Sequence, residues 1–155
     1  MTSAKPRKRF TVGDVLAVQA GDRLAYVQYI GSHPEYGDAI LVSRRLHERA
    51  VPVTSDLFAD GYVTFYPAKA AANQSLVELI DNLPAPPLPD RLRRAGKRSG
   101  RGVDTWIIED STGETLKSRL SKDERKPPIA AIWNHALLVQ RLVEQWDPTL
   151  EPKDA

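Results

Sequence analysis

The densest grouping of chemically capable side chains is His33-Pro34-Glu35-Tyr36-Gly37-Asp38, where an imidazole, two carboxylates and a phenol fall within six residues. Such groups exchange protons near neutral pH, so His33, Glu35 and Asp38 would suit general acid/base hydrolysis if the fold brought them together in a pocket. The same stretch also reads as a turn, since proline presets φ, glycine supplies positive φ and aspartate bonds its own backbone. Turns between strands expose their side chains, which makes His33, Glu35, Tyr36 and Asp38 a candidate partner-binding surface. A second grouping is cationic. Arg91, Arg93, Arg94, Lys97, Arg98 and Arg101 follow a single acid, Asp90, and read as a flexible basic loop. Clustered cations of this kind hold phosphates in a salt-sensitive way, or an acidic protein. No aromatic residue is interleaved to stack on bases, so a solvating role competes with nucleic-acid binding.

Residue type and spacing exclude other chemistry. The sequence has no cysteine, which removes disulfides, thiolate metal sites and a thiol nucleophile together. His33, His47 and His135 lie far apart without an HExxH-like pairing, so their spacing offers no metal site. There is no Gly-x-Ser-x-Gly elbow and no dinucleotide fingerprint, and Gly96 to Gly102 lacks the Walker spacing and a preceding apolar strand. No catalytic residue, metal ligand or cofactor is therefore expected.

The elements that must position these groups are mainly strands. Val12 to Val18 and Leu24 to Ile30 flank Ala20-Gly21-Asp22-Arg23, a hairpin signal, and Ala39 to Ser43 predicts a third strand of a meander. Arg44 to Asp60 reads as a long connection with one helical turn. Gly61 to Tyr66 has high β-propensity, and Pro67 stands where the first residue of a short helix over Ala68 to Gln74 belongs. Leu76 to Leu83 predicts another strand. Four prolines between Pro84 and Pro89 force an extended passage into the basic segment, so 84–102 is expected to be one Pro/Arg-rich loop. Thr105 to Asp110 and Glu114 to Leu120 flank Ser111-Thr112-Gly113 as a hairpin. From Ile129 to Trp146, Ile132, Trp133, Ala136, Val139, Val143 and Trp146 recur at helical spacing and predict an amphipathic helix. Packing of that helix across the sheet would bury Trp106, Trp133 and Trp146.

With 155 residues, 41% of them hydrophobic and 27% charged, the chain fits one globular domain over 10–148 between flexible tails at 1–9 and 149–155. The fold class is α+β, mainly antiparallel: a curled SH3-like sheet or small barrel closed by the C-terminal helix. The net charge of +2 does not by itself select a nucleic-acid partner. No run approaches the roughly 20 apolar residues of a membrane span, and the basic start has no apolar stretch behind it. A soluble cytoplasmic protein is expected.

The block Phe10-Thr11-Val12-Gly13-Asp14-Val15-Leu16-Ala17-Val18, followed by Leu24-Ala25-Tyr26-Val27-Gln28-Tyr29-Ile30, resembles the opening of the Immunity protein 26 family of bacterial polymorphic toxin systems. Both share a Gly-Asp-hydrophobic strand and a second strand with an aromatic and a small polar residue. The likeness extends loosely through Gly61 to Tyr66 as far as Trp106. It implies a mainly β, non-enzymatic protein that binds and neutralises a cognate toxin by occlusion; on exposure alone, His33 to Asp38 and Arg91 to Arg101 are the surfaces expected to be offered. A small β-barrel that binds nucleic acid through the basic segment is the alternative.

Overall fold

The computed structural model describes residues 10–100 and 102–149, so Arg101 and the predicted tails, apart from Thr149, lie outside the described residues. Among the described residues, eight strands form two antiparallel sheets, and two α-helices accompany them. In the first sheet β1 (Asp14–Ala20), β2 (Arg23–His33), β3 (Gly37–Val42) and β4 (Tyr62–Phe65) run as a meander, and β5 (Val77–Asn82) pairs with the free side of β1. The order is β4-β3-β2-β1-β5. The second sheet is β6 (Leu92–Ser99), β7 (Gly102–Asp110) and β8 (Gly113–Lys117) in sequence order. The mainly antiparallel α+β class expected from the sequence is what forms.

The first strand opens where it does because of Asp14. Its carboxylate accepts from Thr11 N at 2.9 Å, Thr11 Oγ1 at 3.1 Å and Asn82 Nδ2 at 2.9 Å. That network ties the chain's entry to the end of β5. Gly13 has φ 100°, and a Cβ there would lie 2.3 Å from the Leu83 carbonyl oxygen, so only glycine fits beside that neighbour. On one face of the sheet Leu16, Val18, Val27, Ile40 and Val42 pack under α1 (Ala68–Asn73) and α2 (His135–Val143) together with Tyr66, Trp133, Leu138 and Leu142. A second cluster of Val15, Tyr26, Leu57 and Phe58 places the 3₁₀ turn over Ser55–Phe58 against the sheet, as the single turn expected in that connection.

The proline-rich passage carries the chain from one sheet to the other. The buried Gln28 donates to the Leu83 carbonyl at 2.9 Å, and Leu88 lies over Gly31, where a Cβ would meet Leu88 Cδ1 at 2.9 Å. Gly31 also follows the register shift between Tyr29 and Gly31, so β2 bends where the passage crosses it. Ile30, Ala39, Phe65 and Leu92 then form the cluster shared by the two sheets.

Several expectations are corrected. Residues 92–99 are strand β6 rather than loop, because they pair antiparallel with β7 from Leu92 opposite Glu109 to Ser99 opposite Gly102, with register shifts around Lys97. The C-terminal helix covers only His135–Val143. Residues before it are not helical, since their backbone groups bond elsewhere: Arg93 N to Pro128 O at 2.9 Å, Ala130 N to Arg93 O at 2.8 Å, and Trp133 N to Phe65 O at 2.8 Å. This segment stitches β6 to β4. The buried helix positions are accordingly Leu138 and Leu142, whereas Ile132 and Val143 are exposed. Lastly, Pro67 precedes α1 instead of opening it, and Trp106 packs under the second sheet with Ile108 and Leu120, apart from Trp133 and Trp146.

Candidate functional site

The β2–β3 hairpin and the start of the second sheet face one another across a cleft of about 300 Å³ lined by His33, Glu35, Asp90, Leu92, Glu109, Asp110 and Ser111. Each wall has a local cause. His33 ends β2, and its Nδ1 accepts from the backbone N–H of Glu35 at 3.0 Å and of Tyr36 at 3.3 Å, so the imidazole organises the turn. Tyr36 packs on His33 with ring centroids 5.1 Å apart and on Phe65 at 5.3 Å. Burial raises the Tyr36 phenol above its usual range, and the carboxylates of Glu109 and Glu35 push it further, against the Arg94 guanidinium. The phenol therefore stays protonated beside those acids at neutral pH.

On the opposite wall the hydroxyl and amide of Thr112 hold Asp110 below the ordinary carboxylate range, helped by Arg91 at 3.8 Å. Asp110 is ionised at neutral pH. Glu35, Asp90, Glu109 and Asp110 make the cleft acidic, with His33 and Ser111 as its other polar groups. Of these, only His33 and Glu35 stand out in the sequence. The acids Asp90, Glu109 and Asp110 belong to different strands and turns, and only the docking of the second sheet brings them to the hairpin.

Asp38 is drawn out of this arrangement. Its carboxylate accepts from Ser32 Oγ at 3.1 Å and from Lys69 N at 3.1 Å, which caps the first turn of α1 from across the hairpin. The grouping of His33, Glu35 and Asp38 considered for hydrolysis does not converge. Tyr29 extends the same support: its hydroxyl bonds Ser32 Oγ at 2.8 Å and Lys69 Nζ lies 5.2 Å over its ring.

Among the described residues, the cationic segment does not present a common face. Arg93 is fully buried, donating from Nε to Pro127 O at 3.1 Å and from an amino group to Pro148 O at 2.8 Å, with its guanidinium 5.2 Å over Trp106. Burial and the neighbouring Arg125 push it down to about 10, still protonated at neutral pH. Arg91 approaches Asp110, and Arg94 bonds Glu114 at 2.9 Å. Lys97 is exposed, Arg98 belongs to β6, and Arg101 lies outside the described residues. Alternation in a strand explains why adjacent arginines part company, one inward and the next outward. No group of three or more metal-ligating side chains forms among the described residues, and no helix there is long and apolar enough to cross a membrane. The chain matches no protein-family model, no curated protein and no solved structure.

Proposed function

We propose that this chain is a non-enzymatic, cytoplasmic protein-binding module that neutralises a cognate toxin by occlusion, in the manner implied by its resemblance to the Immunity protein 26 family. Its first sheet, curled in an SH3-like way, serves as the platform, and the acidic cleft is the surface offered to the partner. The observation that carries this reading is the assembly of Glu35, Asp90, Glu109 and Asp110 around one concavity between hairpin and second sheet. Such a surface complements a basic protein, steering its approach and rejecting acidic competitors. The arginines support binding of nucleic acid less, because Arg93 is buried while Arg91 and Arg94 face carboxylates.

The test is co-purification with the toxin domain encoded beside this gene, followed by affinity measurements on variants. Joint reversal by Glu35→Lys and Glu109→Lys is expected to weaken the complex by at least tenfold, in line with the ~1.4 kcal/mol that a tenfold change represents. Lys97→Ala should leave it unchanged. Undiminished binding by the double reversal would remove the cleft from the interface, and binding of duplex or single-stranded nucleic acid with a steep salt dependence would favour the alternative.

A further inference from the structure

The amide of Gln28 is bonded from one end only. It sits in β2 opposite Leu41 of β3, two residues beyond Tyr26, and is 2% exposed. Its Nε2 donates to the Leu83 carbonyl at 2.9 Å, with the Gly13 and Pro84 carbonyls at 3.3 and 3.4 Å. Three carbonyl oxygens around one end of the amide fix that end as nitrogen, because an oxygen there would meet only acceptors. Oε1 therefore faces away from those carbonyls, and among the described residues no N–H or O–H donates to it. A buried acceptor left without a donor is costly.

That amide lines a cavity of about 190 Å³. Gln28 and Leu41 form its floor, Ser55 and Phe58 of the 3₁₀ turn one wall, and Leu83, Pro84 and Pro86 the other. The space arises because two coverings of β2 stop short of each other. Leu57 and Phe58 pack over Tyr26, and the proline-rich passage lies over Gly31 through Leu88. Gln28 falls between them.

Size and lining select the occupant. A ~150 Å³ cavity with aliphatic and aromatic walls stays dry and accepts a benzene ring, so this one has room for a fused second ring. Pro84 and Pro86 offer pyrrolidine faces of the kind that pack on aromatic rings when polyproline segments are recognised, and Phe58 supplies an aromatic wall opposite. No charged side chain contributes to the lining, which favours a neutral ligand. The polar atom that Gln28 leaves for it is an acceptor, and an indole matches that, since its N–H donates and its ring brings no acceptor. A carboxylate would oppose Oε1, and a ring without a donor would leave it unpaired.

We propose that this cavity binds an indole ring, either as a free small molecule or as the side chain of a tryptophan. The ring N–H donates to Gln28 Oε1, while the ring lies between Phe58 and the two prolines. The cavity shares no lining residue with the acidic cleft, so this is a second binding property, separate from recognition through the carboxylates.

Calorimetric titration of the full chain tests this with indole, with benzofuran, the isostere in which oxygen replaces the N–H, and with N-acetyltryptophanamide. Saturable indole binding is expected, with benzofuran about fivefold weaker, as loss of one hydrogen bond implies. In heteronuclear NMR the Gln28 side-chain amide signals should shift on addition of indole. Leu41→Phe enlarges the floor into the cavity and should weaken indole binding by about tenfold or more. Thermal unfolding without ligand checks that this variant folds, and the comparison of indole with benzofuran needs the parent chain alone. Leu116→Ala, on the second sheet, should bind as the parent does. N-acetyltryptophanamide bound at least as tightly as indole supports a tryptophan side chain as the occupant, and weaker binding supports a free small molecule. Absence of saturable indole binding, benzofuran bound as tightly as indole, unmoved Gln28 amide signals, or unchanged affinity in a folded Leu41→Phe would each overturn the proposal, as would equal loss in Leu116→Ala.

Discussion

His135 lies at the first turn of α2, where the Tyr66 hydroxyl and its Nδ1 share a hydrogen bond of 2.8 Å. Burial lowers its pKa from the ordinary value of 6.5, so the folded protein keeps the imidazole neutral to lower pH than the unfolded chain does. The linkage sign follows: the unfolded state binds the extra proton first, and stability falls as pH drops from about 6.5 through the folded pKa. Urea unfolding across that window should show this decline, and His135→Asn should flatten it. A parent protein with constant stability over the window would show that the half-buried imidazole has no part in it. Arg93 teaches a different lesson at the same scale. In the sequence it is one of six cations in a row of similar appearance, yet it is enclosed against carbonyls and Trp106. Side-chain alternation separates it from Arg94, and that alternation becomes visible only when 92–99 is known to be a strand.

At the scale of elements, the strands of the first sheet and the short helix α1 were legible, whereas β6 and the bounds of the C-terminal helix were not. Glycine at turns and β-branched runs between them mark β1 to β5, because local propensity and pairing agree there. The C-terminal helix is shorter than its apolar periodicity implies, since Pro128, Ala130 and Trp133 commit their backbone groups to β6 and β4. Asn134 then starts the helix: it is the N-cap, and its Oδ1 accepts from Leu137 N at 2.8 Å. Asn134→Ala should cost about 1 kcal/mol of stability, and Asn134→Ser much less, measured by chemical denaturation. Equal stability of the alanine variant would mean that the preceding segment, not the cap, fixes where α2 begins.

For the whole molecule, the decisive contact is between the sheets. Phe65 is 2% exposed, packs against Tyr36 at 5.3 Å and His33 at 5.6 Å, and belongs to the cluster shared with Leu92. It thus supports both the core and the hairpin wall of the acidic cleft. Phe65→Ala should destabilise the protein by about 3–5 kcal/mol and weaken partner binding in proportion to the loosened hairpin, whereas Phe65→Leu should retain most of both. Denaturation midpoints alongside affinity measurements separate the two effects. Full stability in the alanine variant would show that the sheets dock without this residue.

The sequence by itself determined the antiparallel strands of the first sheet, their turns, the proline-rich crossing and the exposure of the His33 to Asp38 hairpin, because each follows from local backbone preference. Tertiary structure alone decided which charges meet. Glu35 joins Asp90, Glu109 and Asp110 through docking of elements far apart along the chain. Electrostatic fields depend on distance in space, while the sequence orders residues only along the chain. The cationic run was plain to read and its dispersal was not, since neighbours along a strand point to opposite sides.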